Sequence, residues 1–336
     1  MDYKLLGRTG VEVSPLGLGC MMFGDRTSPE DSYAIIDRAL DAGLNFLDTS
    51  NSYGKGRSEE VTGEALKRNG RRDKVVLATK YYIRLGEGPN MMGSSRRFII
   101  EQCEKSLKRL KTDYIDIYQQ HRPNPNTAID ETLRALDDLV TSGKIRYIGT
   151  STFAAWQLVE ALWASDHHRL NRFVTEQPPY NIFERRIERE LIPMAQTYGM
   201  AILPWSPLAA GLLSGKYGHG KQVTADEARY ARWPGNPLER ARWVQPVCDA
   251  VEKLSPMTEA KGCTLSQFAL AWVMAQPGVT SPIIGPRTME QLEDNLKALE
   301  VKITEDDCKA VDRIVPRGGV VVPYYEAAFG PHPNRV

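Results

Sequence analysis

Short apolar runs alternate with amphipathic segments eight times along this chain, and that rhythm limits the possible folds more than any other feature of the sequence. The first run lies around residues 16–20 in VEVSPLGLGCM. It leads into SPEDSYAIIDRALDAG, a helix that Ser28 can cap and Gly43 can stop. NFLDTS and SEEVTGEALKRNG make the second strand–helix pair, KVVLATK and RRFIIEQCEKSLKRL the third, YIDIYQQH and AIDETLRALDDLVTSG the fourth. IRYIGTST with AAWQLVEALWAS, FVTEQPPYN with RRIERELIPMAQTYG, MAILPWSPL with TLSQFALAWVMAQPG, and SPIIGP with TMEQLEDNLKAL complete the series. The longer segments repeat apolar residues at helical spacing, and the shorter ones are bounded by turn residues.

Strands of this kind are buried on both faces, as in a parallel sheet covered by helices. Eight βα units without a break in composition predict a single-domain α/β chain, a (β/α)8 barrel of the TIM type. The rival is a doubly wound open sheet, which calls for a Gly-rich dinucleotide fingerprint after its first strand. The nearest match, Gly17-x-Gly19, meets Met22 where the third small residue belongs. The opening YKLLGRTGVEVS reads as a hairpin turning at Thr9–Gly10 and closing the barrel bottom, and TEDDCKAVDRI as an extra C-terminal helix. Residues 213–243 read as a long irregular stretch, long enough to fold over a ligand as a lid.

The 43 basic and 42 acidic side chains leave no electrostatic footprint of a nucleic-acid binder. Cys20, Cys103, Cys248, Cys263 and Cys308 are scattered, with neither disulfide nor metal-type spacing, so no metal is expected. No apolar run is long enough to span a bilayer and MDYKLLGRTG has no signal-peptide character, so a cytoplasmic protein without a membrane partner is expected. Monomer and homo-oligomer both stay open.

In such barrels the chemistry lies at the C-terminal ends of the strands. The second predicted strand ends at Asp48, with Tyr53 in the loop beyond; the third ends at Lys80 and the fourth at His121. Each alone has an ordinary structural reading, as a cap, a solvated cation, a satisfied core histidine or a packed ring. Together at one mouth they suit a specific task. A phenol is a poor acid at neutral pH, an adjacent ammonium favours its ionised form, and a carboxylate can hold that ammonium. An imidazole can donate to the same substrate oxygen. That set suits carbonyl reduction, in which hydride comes from a cofactor and the developing alkoxide needs a proton.

On these residues the chain resembles the aldo-keto reductase superfamily over nearly its whole length. DAGLNFLDTSNSYGKGRSEEVTGEAL, TDYIDIYQQHRP, GKIRYIGTS, QPPYN and PWSPLAAGLLSGKY follow the family's order and spacing. The resemblance implies an NAD(P)H-dependent carbonyl reductase with a catalytic tetrad of Asp48, Tyr53, Lys80 and His121, Tyr53 being the proton donor and His121 orienting the carbonyl. It implies nicotinamide contacts from Ser151, Thr152 and Gln177, stacking on Trp205, and pyrophosphate contacts along Ser206, Pro207, Leu208 and Ala209. Cys20 and Met21, after the first strand, join Asp48 near the cofactor. Lys216 matches a phosphate ligand, and Gly285, Arg287, Gln291, Asp294 and Asn295 match the adenosine segment. A helix N-terminus beside Arg287 is a phosphate site on physical grounds too. An Arg287 contact to a 2′-phosphate selects NADPH over NADH. Arg229 is a further candidate phosphate contact.

Met21, Met22, Met91, Met92, Tyr81 and Tyr82 fall near the mouth and could line an apolar substrate pocket or serve local packing. His167 and His168 read as solvated residues on an outer helix end. The WSPLA and SGKY style resembles the branch that includes potassium-channel β subunits, which opens a second reading, a redox-sensing regulatory subunit. Those subunits typically carry Asn where this chain has His121, so the complete tetrad favours turnover of a small carbonyl substrate.

Overall fold

The computed structural model describes residues 1–216 and 237–322, with side chains for all of these but 237–244. Strands β1 (Lys4–Leu5) and β2 (Glu12–Val13) form an antiparallel hairpin with Thr9 and Gly10 in its turn. Eight parallel strands follow: β3 (Gly17–Gly19), β4 (Phe46–Asp48), β5 (Val76–Tyr81), β6 (Ile115–Gln120), β7 (Ile145–Ser151), β8 (Phe173–Gln177), β9 (Ala201–Ile202) and β10 (Ile283–Ile284). Their spatial order is β10-β3-β4-β5-β6-β7-β8-β9. Parallel bridges Ile202–Val279 and Trp205–Ile283, with Ile283 N–H donating to Pro204 O at 2.8 Å, join the two ends. The sheet therefore curls into the expected barrel.

The helices are α1 (Pro29–Asp41), α2 (Arg57–Asn69), α3 (Arg96–Leu110), α4 (Ile129–Thr141), α5 (Ala155–His168), α6 (Leu191–Tyr198), α7 (Pro237–Ala260), α8 (Leu265–Ala275), α9 (Met289–Leu296) and α10 (Glu305–Ile314). Ser28 caps α1 by accepting from Asp31 N, as expected, and Thr264, Thr288 and Thr304 cap α8, α9 and α10 in the same way. The sequence reading missed α7. Its first residues fall at the end of the stretch read as irregular, and Pro246 and Pro256 lie inside it. Val247, Val251 and Leu254 recur at helical spacing and are buried, so packing outweighs the lost backbone bonds. The suggested lid and Arg229 lie outside the described residues.

Strand parity sorts the core into two shells. Phe46, Ala78 and Ile117 point into the barrel, where Leu6 and Val13 of the hairpin meet them from below. Leu47, Leu77 and Tyr118 point outward to the helices. Two residues further along each strand, the inward positions become Asp48, Lys80 and Gln119, so the upper layer of the barrel interior is polar. Barrels usually fill such layers with branched apolar side chains. Burying two charges here costs several kcal/mol per ion before pairing, on the order expected for desolvated ions. Stability alone does not select such a layer.

Candidate active site

Four strand ends and one loop build the site. Lys80 is fully buried and donates to Asp48 Oδ2 at 2.5 Å and to the Thr49 carbonyl at 2.9 Å. Its Nζ also stands 3.5 Å from the Tyr53 hydroxyl. Burial opposes the ammonium, but Asp48 and Tyr53 outweigh it, so the Lys80 pKa is raised above its ordinary value and the ammonium persists. Asp48 keeps its other oxygen satisfied: Oδ1 accepts from Gln177 Nε2 at 2.9 Å and from Gln119 Nε2 at 3.1 Å. Every polar end of the pair thus has a partner, the condition under which a buried ion pair is tolerated.

The Tyr53 loop is held from both sides. Tyr53 N–H donates to Ser50 O and Asn51 N–H to Lys80 O. Beyond Tyr53 the chain turns through left-handed Gly54, Lys55 and Gly56, and a Cβ at Gly56 would fall 2.9 Å from the Arg109 side chain. Arg109 in turn binds Glu59 Oε2 at 2.6 Å, while Thr79 donates to Glu59 Oε1 at 2.6 Å. This clamp ties the start of α2 to β5 and fixes where the phenol points. The Tyr53 ring meets the His121 ring edge-on, with centroids 5.8 Å apart. His121 is buried, and burial together with the positive charges of Lys80 and Arg122 holds its pKa well below 6.5. Its ring is therefore neutral at physiological pH, with Nδ1 3.3 Å from Ser50 Oγ. The structure brings Asp48, Tyr53, Lys80 and His121 together.

Around this centre the remaining expected residues within the described structure occupy four places. Ser151, Thr152 and Gln177 lie at the ends of β7 and β8, where Ser151 Oγ donates to Gln177 O at 2.9 Å. Cys20 is buried at the end of β3 with its thiol pushed up to about 12 by burial, and Met21 follows it half-exposed. Trp205, Ser206, Pro207, Leu208 and Ala209 follow β9, with Lys216 exposed beyond them. Thr152, Ser206 and Ala209 all adopt left-handed backbone, with φ of 61°, 57° and 50°. Strain at non-glycine residues of this kind gathers at ligand-binding turns. The fourth place is the turn from β10 to α9. Gly285 is exposed, and Arg287 N–H donates to Gln291 Oε1 at 2.8 Å. Asn295 is buried, and Asp294 turns toward α8, accepting from Gln267 Nε2 at 2.7 Å.

Two readings of neighbouring residues become definite. Tyr81 faces away from the barrel interior, fully buried against Tyr118 at 4.8 Å, so it is a packing residue rather than a pocket wall. His167 is exposed on the outer helix end as expected, where it stacks on Trp163, and half-buried His168 has Nδ1 3.2 Å from Arg134.

The sequence reading overlooked Gln119, Ser50 and Glu176. Gln119 shares strand parity with His121, a period-2 signal that was available. Glu176 faces outward behind Gln177, fully buried; Thr150 Oγ1 donates to its Oε2 at 2.5 Å and Phe153 N–H to its Oε1 at 3.1 Å. It therefore ties the turn that carries Ser151 and Thr152. Burial pushes its pKa up to about 8, against which the Thr150 and backbone hydrogen bonds work. A raised carboxyl stabilises the fold fully below the unfolded value of 4.5 and loses that contribution as pH rises through about 8. Glu176→Gln keeps the acceptor for Phe153 and removes the ionisation. Its Tm is expected to fall less than wild type between pH 6 and pH 9 in parallel melting curves; identical pH slopes would rule out the buried acid.

The aldo/keto reductase family model matches residues 15–316. The chain is 41% identical over 332 residues to an "Uncharacterized oxidoreductase YrpG" of Bacillus subtilis, covering 96% of this chain and 98% of that one. It is 39% identical over 304 residues to a "Probable voltage-gated potassium channel subunit beta" of Oryza sativa, covering 90% and 92%. A protein of the same description from Arabidopsis thaliana is 38% identical over an equal span.

Proposed function

The chain belongs to the aldo/keto reductase family, an oxidoreductase family, and from that premise we propose that it reduces an aldehyde, ketone or keto sugar to the alcohol with NADPH. The observation that carries this reading is Lys80, buried between Asp48 at 2.5 Å and the Tyr53 hydroxyl at 3.5 Å. A bound nicotinamide supplies the hydride in such chemistry. The substrate carbonyl oxygen meets the Tyr53 hydroxyl and the neutral His121 ring. As negative charge develops on that oxygen, Tyr53 gives up its proton, and the Lys80 ammonium faces the phenolate left behind. Asp48 keeps Lys80 in place, and Gln119 and Gln177 keep Asp48 in place.

The residues suit the cofactor at several points. Left-handed backbone at Thr152, Ser206 and Ala209 bends the chain beside the barrel mouth, and a Cβ built at Gly285 meets nothing within 4 Å, leaving open space before α9. Ser151, Thr152 and Gln177 would hold the carboxamide, Trp205 the ring, and Lys216 and Arg287 the phosphates. Arg287→Ala is expected to weaken NADPH about tenfold and leave NADH unchanged, a loss typical of one charge-assisted contact. Fluorescence titration of both nucleotides reads this, and equal weakening of the two would remove the 2′-phosphate role. Unbridged thiols suit a reducing compartment, and we assign the protein to the cytoplasm; among the described residues no helix is long and apolar enough to cross a membrane.

The channel-subunit descriptions of the rice and Arabidopsis relatives favour a second reading, a cofactor-binding regulatory subunit. The two part on turnover. Consumption of NADPH on adding an aldehyde, a ketone or a keto sugar supports the reductase, and binding without consumption supports the regulator.

A further inference from the structure

At the opposite end of the barrel from the tetrad, three guanidinium groups line one solvent-open cleft of about 330 Å³. Arg8 comes from the hairpin turn, Arg146 from the start of β7 and Arg172 from the residue before β8. They are far apart in sequence and are assembled only by the fold. No acidic side chain lines the cleft among the described residues. Among the described residues none of the three has a carboxylate partner, whereas Arg38, Arg71, Arg72, Arg109 and Arg185 each do.

Arg146 and Arg172 each make one side-chain hydrogen bond. Arg172 donates to Tyr198 O at 2.7 Å, and Arg146 donates to Gly143 O at 3.0 Å while lying over the Tyr114 ring. Arg8 is directed by packing. Its stem crosses Gly199, where a Cβ would fall 2.4 Å from the Arg8 side chain, and Gly199 is left-handed, with φ of 66°. A guanidinium has five N–H donors, so most of the donor capacity of the trio is uncommitted. Bringing like charges together is unfavourable, and Arg172 carries that cost: burial, then the nearby charge of Arg8, lowers its pKa.

We propose that this cleft is a binding site for a small phosphate ester, held by Arg8, Arg146 and Arg172. A tetrahedral dianion offers oxygens in several directions and can engage guanidinium forks from three elements at once, whereas one carboxylate matches one fork. The cleft walls Val140, Ile148 and Val174 supply apolar surface for the organic part. The bound phosphate ties the hairpin turn to β7 and β8 and removes the repulsion between the arginines. The site is independent of the reductase reading, because it uses no residue of the barrel mouth.

Calorimetric titration of the full chain with glycerol 3-phosphate, inorganic phosphate and malonate, at matched ionic strength in chloride, tests it. One site that prefers glycerol 3-phosphate to malonate is expected. Combined Arg8→Met and Arg172→Met should weaken it at least about tenfold, the scale of a lost charge-assisted pair. Arg146→Met alone, at an exposed position, should weaken it in the same direction and serves if the double variant does not fold. Arg287→Met, at the other end of the barrel, should leave it unchanged. A phosphate signal no larger than that of chloride, a preference for malonate, affinity unchanged in the cleft variants, or loss only in Arg287→Met would each overturn the proposal.

Discussion

Tyr53→Phe is expected to lower NADPH-dependent carbonyl turnover by about a thousandfold, within the range of a positioned general acid. Cofactor affinity should hardly move. The phenyl ring keeps the edge-on contact with His121, and the lost hydroxyl stands 3.5 Å from Lys80, too far to be a main support of the ion pair. Lys80 keeps Asp48 at 2.5 Å and the Thr49 carbonyl at 2.9 Å. The variant should therefore fold, bind NADPH and fail at proton delivery. Steady-state rates and nucleotide titration on the same sample separate these effects. A rate within a few-fold of wild type would move the proton donor elsewhere.

Lys80→Met should damage both stability and turnover. It leaves the Asp48 carboxylate 4% exposed and without its cation. Stranding one member of a buried pair costs about 3–5 kcal/mol. Gln119 and Gln177 still donate to Asp48 Oδ1, which places the loss toward the lower end of that range. Adding Asp48→Asn removes the stranded charge and should recover most of the stability without restoring turnover, because the phenolate of Tyr53 would still lack an ammonium. Urea unfolding of the single and double variants, with rates on both, checks the sign of each step. A single variant as stable as wild type would mean that Asp48 takes up a proton at no cost.

The convergence of Asp48, Tyr53, Lys80 and His121 was legible because strand parity and strand ends are written in the sequence. Asp48, Lys80 and His121 each stand at the end of a run read as a strand, and side chains of one parity in neighbouring parallel strands must share the barrel interior. The hairpin plug was legible for the same reason, since Leu6 and Val13 are apolar positions beside a Thr–Gly turn. Helix α7 was not, because Pro246 and Pro256 are local signals for a break and only tertiary packing of Val247, Val251 and Leu254 overrides them. Glu176 was hidden by its position beside Gln177: the two neighbours point to opposite faces of β8, and only the structure shows a buried acid behind the turn. The trio at the barrel bottom combines residues 8, 146 and 172, a convergence that no local window can contain. Asp294 shares a helix with Gln291, yet the structure turns it to α8, because Gln267 offers a donor at 2.7 Å.

The most direct test of the central claim is NADPH affinity and NADPH-dependent turnover measured on one preparation, against aldehydes, ketones and keto sugars. A reductase with its Asp48–Lys80–Tyr53 chain and neutral His121 in place should bind NADPH and consume it with at least one carbonyl class. Tight binding with no consumption across all three classes would contradict it and leave the cofactor-sensing subunit as the better description.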